Sequence, residues 1–134
     1  MNKKIIIIIP AIVILISLYV FSANHMDEKR LADTFEFSAT YFDNSHLVTI
    51  SFLDRSNHTN TATLEIEGLN QPFQKKYNNS SFVENILISS TPQYGWKTTP
   101  VTLLIDHKDF GKIILKTEIV PSGQPPSKVI YGRP

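Results

Sequence analysis

The sequence predicts an all-β domain behind one membrane helix: an antiparallel β-sandwich of about seven strands, preceded by an N-terminal transmembrane segment. Three observations lead there. From Phe35 to Val120 apolar and polar residues alternate in short runs, the period of strands buried on one face. Clusters of Gly, Pro, Asn, Asp and Ser separate these runs at regular intervals, as turns do. Ahead of them, Ile5 to Ala23 is a nearly unbroken apolar run directly behind Lys3 and Lys4. A helix of that length spans roughly the 30 Å hydrocarbon core of a bilayer.

The chain therefore divides into a signal anchor over residues 1–26, a polar stalk over 27–34, the β-sandwich over 35–120 and a Pro-rich flexible tail over 121–134. The anchor reading rests on length, because secretory apolar regions usually span 7–15 residues. Pro10 near the start of such a helix costs one hydrogen bond, and Tyr19 and Phe21 suit the interfacial belt at its far end. Two alternatives stand beside it. Val20 and Ser22 offer small residues for signal cleavage before Ala23, and the short leader ending at Lys4 has the layout of a type IV pilin precursor. The four-residue leader resembles a secretory start, which places the N-terminus inside and the C-terminal domain outside the cytoplasmic membrane as a single-pass protein. Lys29 and Arg30 on the other flank pull against that orientation.

The strands follow in order. Phe35, Phe37, Ala39 and Tyr41 alternate with polar residues, and Asp43-Asn44-Ser45 makes a turn. His46–Leu53 is the second strand, with Val48, Ile50 and Phe52 on one face; Asp54–Asn60 is a loop. Ala62, Leu64 and Ile66 then alternate with Thr63, Glu65 and Glu67, and Gly68 closes the run. Phe73–Tyr77 is a short edge strand, guarded by Lys75 and Lys76 against pairing with another molecule. Phe82–Ile88 is a strand whose inward face Glu84 and Asn85 leave open. Val101–Asp106 and Lys112–Val120 form a hairpin around residues 107–111, with Ile113, Leu115, Thr117 and Ile119 facing in and Gly111 at positive φ. Past Pro121 the proline density argues against pairing in a sheet interior. Strand count and alternation point to the immunoglobulin or fibronectin III type, although the Cys…Trp…Cys spacing of true immunoglobulin domains is absent.

The whole layout resembles the small, membrane-anchored, cysteine-free β-sandwich proteins of archaeal cell surfaces. The resemblance covers architecture along the chain and no residue-level motif, so it transfers no site.

Composition removes several classes of function. The net charge is +1, and since Lys3 and Lys4 supply two positive charges, the rest sums to −1. A near-neutral domain without a Lys/Arg cluster is a poor partner for nucleic acid, whose phosphates dominate affinity. With no cysteine, thiolate metal sites, iron–sulfur clusters and disulfide staples are all excluded. His25, His46, His58 and His107 are scattered without metal-ligand spacing; His58 and His107 fall in loops that meet at one end of a sandwich, where they read as solvated turn residues. Asp106 and Asp109 lack the further carboxylate of a calcium loop. No G-x-S-x-G, S-x-x-K or Gly-rich phosphate loop is present, so no catalytic residue, cofactor or metal is expected.

Two features remain. Tyr94 and Trp96 sit on a stiff loop between Pro92 and Pro100, where aromatic rings offer rigid area to a ligand or partner. A lone Trp in a small sandwich is more often a core plug. Asn57, Asn78 and Asn79 head Asn-x-Ser/Thr sequons in predicted loops, as glycosylation requires. The expectation is thus a non-enzymatic, membrane-anchored, extracytoplasmic domain. Its role would be adhesion, envelope scaffolding or service as an accessory subunit, with the lipid bilayer and an envelope protein as partners. A secreted carbohydrate- or ligand-binding module and a pilin-like filament subunit are the alternatives.

Overall fold

The structure is a computed structural model and describes residues 13–15, 28–69, 71–89 and 91–134. The chain separates into two units, Met1–Asp33 and Thr34–Pro134. In the first, residues 13–15 are helical and exposed, and the residues from 28 to 33 are helical. Apart from 13–15, the expected membrane helix over Ile5–Ala23 lies outside the described residues, as do the cleavage point at Ser22 and the leader ending at Lys4. Among the described residues no helix is long and apolar enough to cross a membrane.

The second unit is built from strands. They are β1 (Phe35–Phe42), β2 (Leu47–Asp54), β3 (Thr59–Ile66), β4 (Phe73–Tyr77), β5 (Ser81–Leu87), β6 (Pro100–His107), β7 (Gly111–Pro121) and β8 (Ile130–Gly132), with a 3-10 turn at Trp96–Thr98. Hydrogen bonding links them in the order β4-β3-β6-β7-β1-β2-β5, with β8 added to β7. All neighbours are antiparallel except β1 and β7, which run parallel over Ala39–Tyr41 and Ile119–Pro121.

The alternation read from sequence decides which side chains meet inside. Phe35, Phe37, Ala39 and Tyr41 are buried on β1; Val48, Ile50 and Phe52 on β2; Ala62, Leu64 and Ile66 on β3. Val101, Leu103 and Ile105 line up on β6, and Ile113, Leu115, Thr117 and Ile119 on β7. Because the period is two, a one-residue slip in any of these registers would turn the whole set to water. On β5, tertiary packing settles the inward face: Phe82 is buried while Glu84 and Ile86 are half-buried.

The sheet is nearly closed, because its terminal strands β4 and β5 meet through side chains rather than through a backbone ladder. The Tyr77 ring stacks on Phe82 at 3.9 Å and 4°. Glu84 accepts hydrogen bonds from the Tyr77 hydroxyl and from Lys75 Nζ, the latter at 3.1 Å. These donors, the Tyr77 hydroxyl first, hold the Glu84 carboxyl below its ordinary range against the opposing effect of burial. Burial and the facing carboxylate push the Tyr77 phenol up.

Three details depart from the sequence reading. The second strand runs one residue further, to Asp54, and β6 runs to His107. Both residues continue the core-facing phase of their strands, so the side chains point inward instead of into solvated loops. Their polarity ended the predicted strands too early. Within the tail over 121–134, Ile130–Gly132 pairs with Ile114–Lys116 of β7. Pro121 ends β7 opposite Tyr41, and Pro125 and Pro126 precede the paired residues of β8.

Candidate functional site

Two constellations lie at opposite ends of the strands. The first gathers at the C-terminal ends of β2 and β6 and the start of β3. Asp54 and His107 are both fully buried at the side chain and sit 3.1 Å apart, Oδ2 to Nε2. Such a carboxylate is tolerable inside a protein only when its lone pairs are filled. They are. Ser56 donates to Oδ1 through its backbone N–H at 2.9 Å and its hydroxyl at 2.6 Å. The His58 N–H at 3.0 Å, the Thr59 hydroxyl at 2.7 Å and the His107 ring reach Oδ2. Burial opposes the charge on Asp54, but bonds from Ser56, Thr59 and His58 outweigh it and hold its carboxyl below the ordinary value of 3.8.

Ser56, His107 and Asp54 are the residue types of a nucleophilic triad, so their wiring decides what they can do. In a working triad one ring nitrogen of the histidine faces the serine and the other faces the carboxylate. Here Ser56 Oγ and Asp54 Oδ2 both lie 3.1 Å from the same nitrogen, Nε2. Nδ1 instead faces the backbone N–H groups of Asp109 and Phe110, at 3.0 and 3.3 Å. Two donors aimed at Nδ1 make it the acceptor, which leaves the ring proton on Nε2 and directed to Asp54. The Ser56 proton goes to Asp54 as well. No basic lone pair faces the serine, and the ring is enclosed by Phe35 at 5.3 Å and Phe110 at 4.9 Å. The cluster is a fastener: it ties the β2–β3 loop and the β6–β7 turn to one buried carboxylate.

His58 and His107 do come together, with ring centroids 6.1 Å apart, but they differ in kind. His107 is buried, correcting its reading as a solvated turn residue; the strand phase of Ile105 carries it inward. His58 is exposed and bonds Asp109 Oδ2 through Nδ1 at 2.6 Å, which is the first cause of the lowered Asp109 carboxyl. Among the described residues no group of three or more His, Asp or Glu side chains is placed to hold a metal ion.

The second constellation lies at the other end, where β3 and β5 finish and β6 begins. A cleft of about 710 Å³ opens between Gly68, Leu69 and Phe73 on one side and Ile86, Ile88 and Pro92 on the other. None of its lining residues carries a charge. Gly68 shapes one wall: its φ is 83°, and a Cβ there would lie 2.4 Å from the Thr98 carbonyl oxygen. The aromatic loop follows directly. Trp96 is half-buried, its ring 4.8 Å from that of Tyr41, whereas Tyr94 is 78% exposed. The two rings that the sequence pairs therefore part, one packing and one protruding.

The sequons divide too. Asn57, Asn78 and Asn79 are all exposed. Thr59, on which the Asn57 sequon depends, is buried with its hydroxyl committed to Asp54. Ser80 is half-buried, and its hydroxyl accepts a hydrogen bond from the Thr59 N–H at 3.3 Å; Ser81 is exposed.

Sequence reasoning passed over Asp54 because an acidic residue next to Arg55-Ser56-Asn57 looks like loop. The available signal was phase: Asp54 falls two residues after Phe52, as His107 falls two after Ile105. No protein-family model, curated protein or solved structure matches the chain.

Proposed function

We propose that this chain is a non-enzymatic binding or structural domain of immunoglobulin/fibronectin III type, held at the outer side of the cytoplasmic membrane by its N-terminal apolar segment. The strand order supports the fold subtype, since β1-β2-β5 forms one half of the sheet path and β4-β3-β6-β7 the other. Ile5–Ala23 supports the address. The observation that carries the binding role is the contrast between the ends. The buried polar constellation described above is saturated by its own hydrogen bonds, while the opposite end offers an uncharged cleft with polar lining from Gln71, Ser89, Thr91 and Gln93, beside an exposed ring, a surface suited to an extended partner segment. That partner is an envelope protein, and the domain acts as an adhesion, scaffold or accessory unit.

The 78% exposure of Tyr94 favours one second reading, a secreted module that stacks a sugar or small ligand on this ring after cleavage near Ser22. The intact mass of protein from its native host separates the two. A mass near the full 15.2 kDa, extracted only with detergent, supports the anchored domain. Loss of residues 1–22 overturns it in favour of the secreted module, and loss of the first four residues in favour of a pilin-like subunit. Any glycan on the folded domain belongs on Asn78 or Asn79 rather than Asn57, whose Thr59 hydroxyl is enclosed. Peptide masses covering both loops test that directly.

A further inference from the structure

The seam between the two terminal strands is closed by side chains in step, and only along part of its length. β4 and β5 follow one another in the chain, joined by Asn78, Asn79 and Ser80, yet each takes its backbone ladder elsewhere: β4 pairs with β3 and β5 with β2. Next to the joint the Tyr77 ring lies on Phe82. Two residues further along each strand, Lys75 Nζ meets the Glu84 carboxylate at 3.1 Å. Two further again, Phe73 and Ile86 stand as opposite walls of the cleft. The strands thus diverge like the arms of a V, shut at the joint and open at the cleft.

One arm is fixed and the other is lightly held. β1, β2, β3, β6 and β7 each bury four residues, and β5 lies on β2 over seven pairs. None of the five residues of β4 is buried, and its ladder to β3 is five pairs long on one edge. A strand with so little burial sits at the low-stability end of a fold, where opening is local rather than global. The joint itself is tied down: the Ser80 carbonyl accepts the Asp54 N–H at 2.8 Å, and the Ser80 hydroxyl accepts the Thr59 N–H at 3.3 Å. Beyond its ladder and the ring stack, what holds β4 converges on one carboxylate. Glu84 accepts from the Tyr77 hydroxyl and from Lys75 Nζ, and that ammonium lies 5.3 Å from the centroid of the Tyr77 ring.

We propose that β4 is a lid over the cleft, which peels from β3 as one unit about the Asn78–Ser80 joint, with Glu84 as its latch. This role rests on the reading of the cleft as the site of an extended partner segment. With the lid shut, such a segment reaches only the mouth between Phe73 and Ile86. With it open, the bared edge of β3 stands across from the edge of β5, and a strand entering between them gains backbone partners. Lys75 and Lys76, charges that discourage pairing, leave with the lid.

Residue-resolved amide hydrogen exchange on the full-length chain in mild detergent tests this. The β4 amides that pair with β3 should share one level of protection and exchange on the order of a hundredfold faster than those of Leu103 and Ile105 in β6. On β3 the effect should alternate, because successive amides of an antiparallel strand point to opposite neighbours: those turned to β4 exchange with the lid, and those turned to β6 stay protected. Glu84→Ala should speed the β4 set on the order of tenfold and leave β6 unchanged. Tyr77→Phe keeps the ring stack and loses only the hydroxyl; it should speed the same set by a smaller factor, and it carries the test if Glu84→Ala fails to fold. β4 amides as protected as those of β6, no alternation along β3, or acceleration spread over every strand overturns the lid. The readout needs no partner, so the lid and the binding role of the cleft fail separately.

Discussion

The two ends of the strand barrel are built on opposite principles. At one, Asp54 collects five hydrogen bonds from Ser56, His58, Thr59 and His107 and ties two connections to the core. At the other, the connections over residues 67–72 and 88–99 rest on close backbone approach, one aromatic contact and a charge-free cleft. The difference teaches where polar groups are committed to holding the fold and where they are not. A buried charge must be satisfied completely or it destabilises the fold. At the other end short local hydrogen bonds hold the turn around Gly95, and the Tyr94 ring stays exposed.

The largest break in this comparison comes from Asp54→Asn. An amide nitrogen must then face either the Ser56 donors or those of Thr59 and His107, and loss of about 3–5 kcal/mol is expected by urea unfolding. Ser56→Ala, which removes one donor and leaves the charge otherwise bonded, should cost nearer 1 kcal/mol.

Acid probes the same end without mutation. The folded Asp54 carboxyl lies below its ordinary value of 3.8, so its contribution to stability is complete above that pH and is lost as the pH falls through the lower folded value. Unfolding free energy measured from pH 6 down to 2 should therefore drop at the acidic end, and Asp54→Asn should flatten that limb. A variant that keeps the full acid slope would assign the effect to other carboxylates.

At the open end, Gly68→Ala forces a Cβ toward the Thr98 carbonyl from a left-handed backbone, and a cost of about 1–3 kcal/mol is expected. Gly123→Ala is the control, because its φ of 88° is also positive but a Cβ there meets nothing within 4 Å. A smaller loss at position 68 than at 123 would mean that the cleft wall yields.

The smallest effects separate the two aromatic residues. Trp96→Ala removes the ring contact with Tyr41 and should cost about 0.5–1.5 kcal/mol beyond lost burial. Tyr94→Ala should stay within about 0.5 kcal/mol of the parent in thermal unfolding while weakening partner or ligand capture. Equal losses at the two positions would return Tyr94 to a packing role.

By itself the sequence determined the strands and their inward faces, because a period of two survives in any chain whose strands are buried on one side. Phe35 to Tyr41, Val48 to Phe52, Ala62 to Ile66 and Ile113 to Ile119 were legible for that reason. So was Gly111, whose φ of 72° follows from the hairpin it closes. Tertiary structure alone decided the rest. Strand order rests on pairings between residues far apart in the chain, such as β1 with β7, which local pattern does not encode. The inward placement of Asp54 and His107 depends on each supplying the other's partner, fifty-three residues away, so neither polar side chain looks buried when taken alone. The unpaired edge of β5 likewise exists only because the sheet stops there.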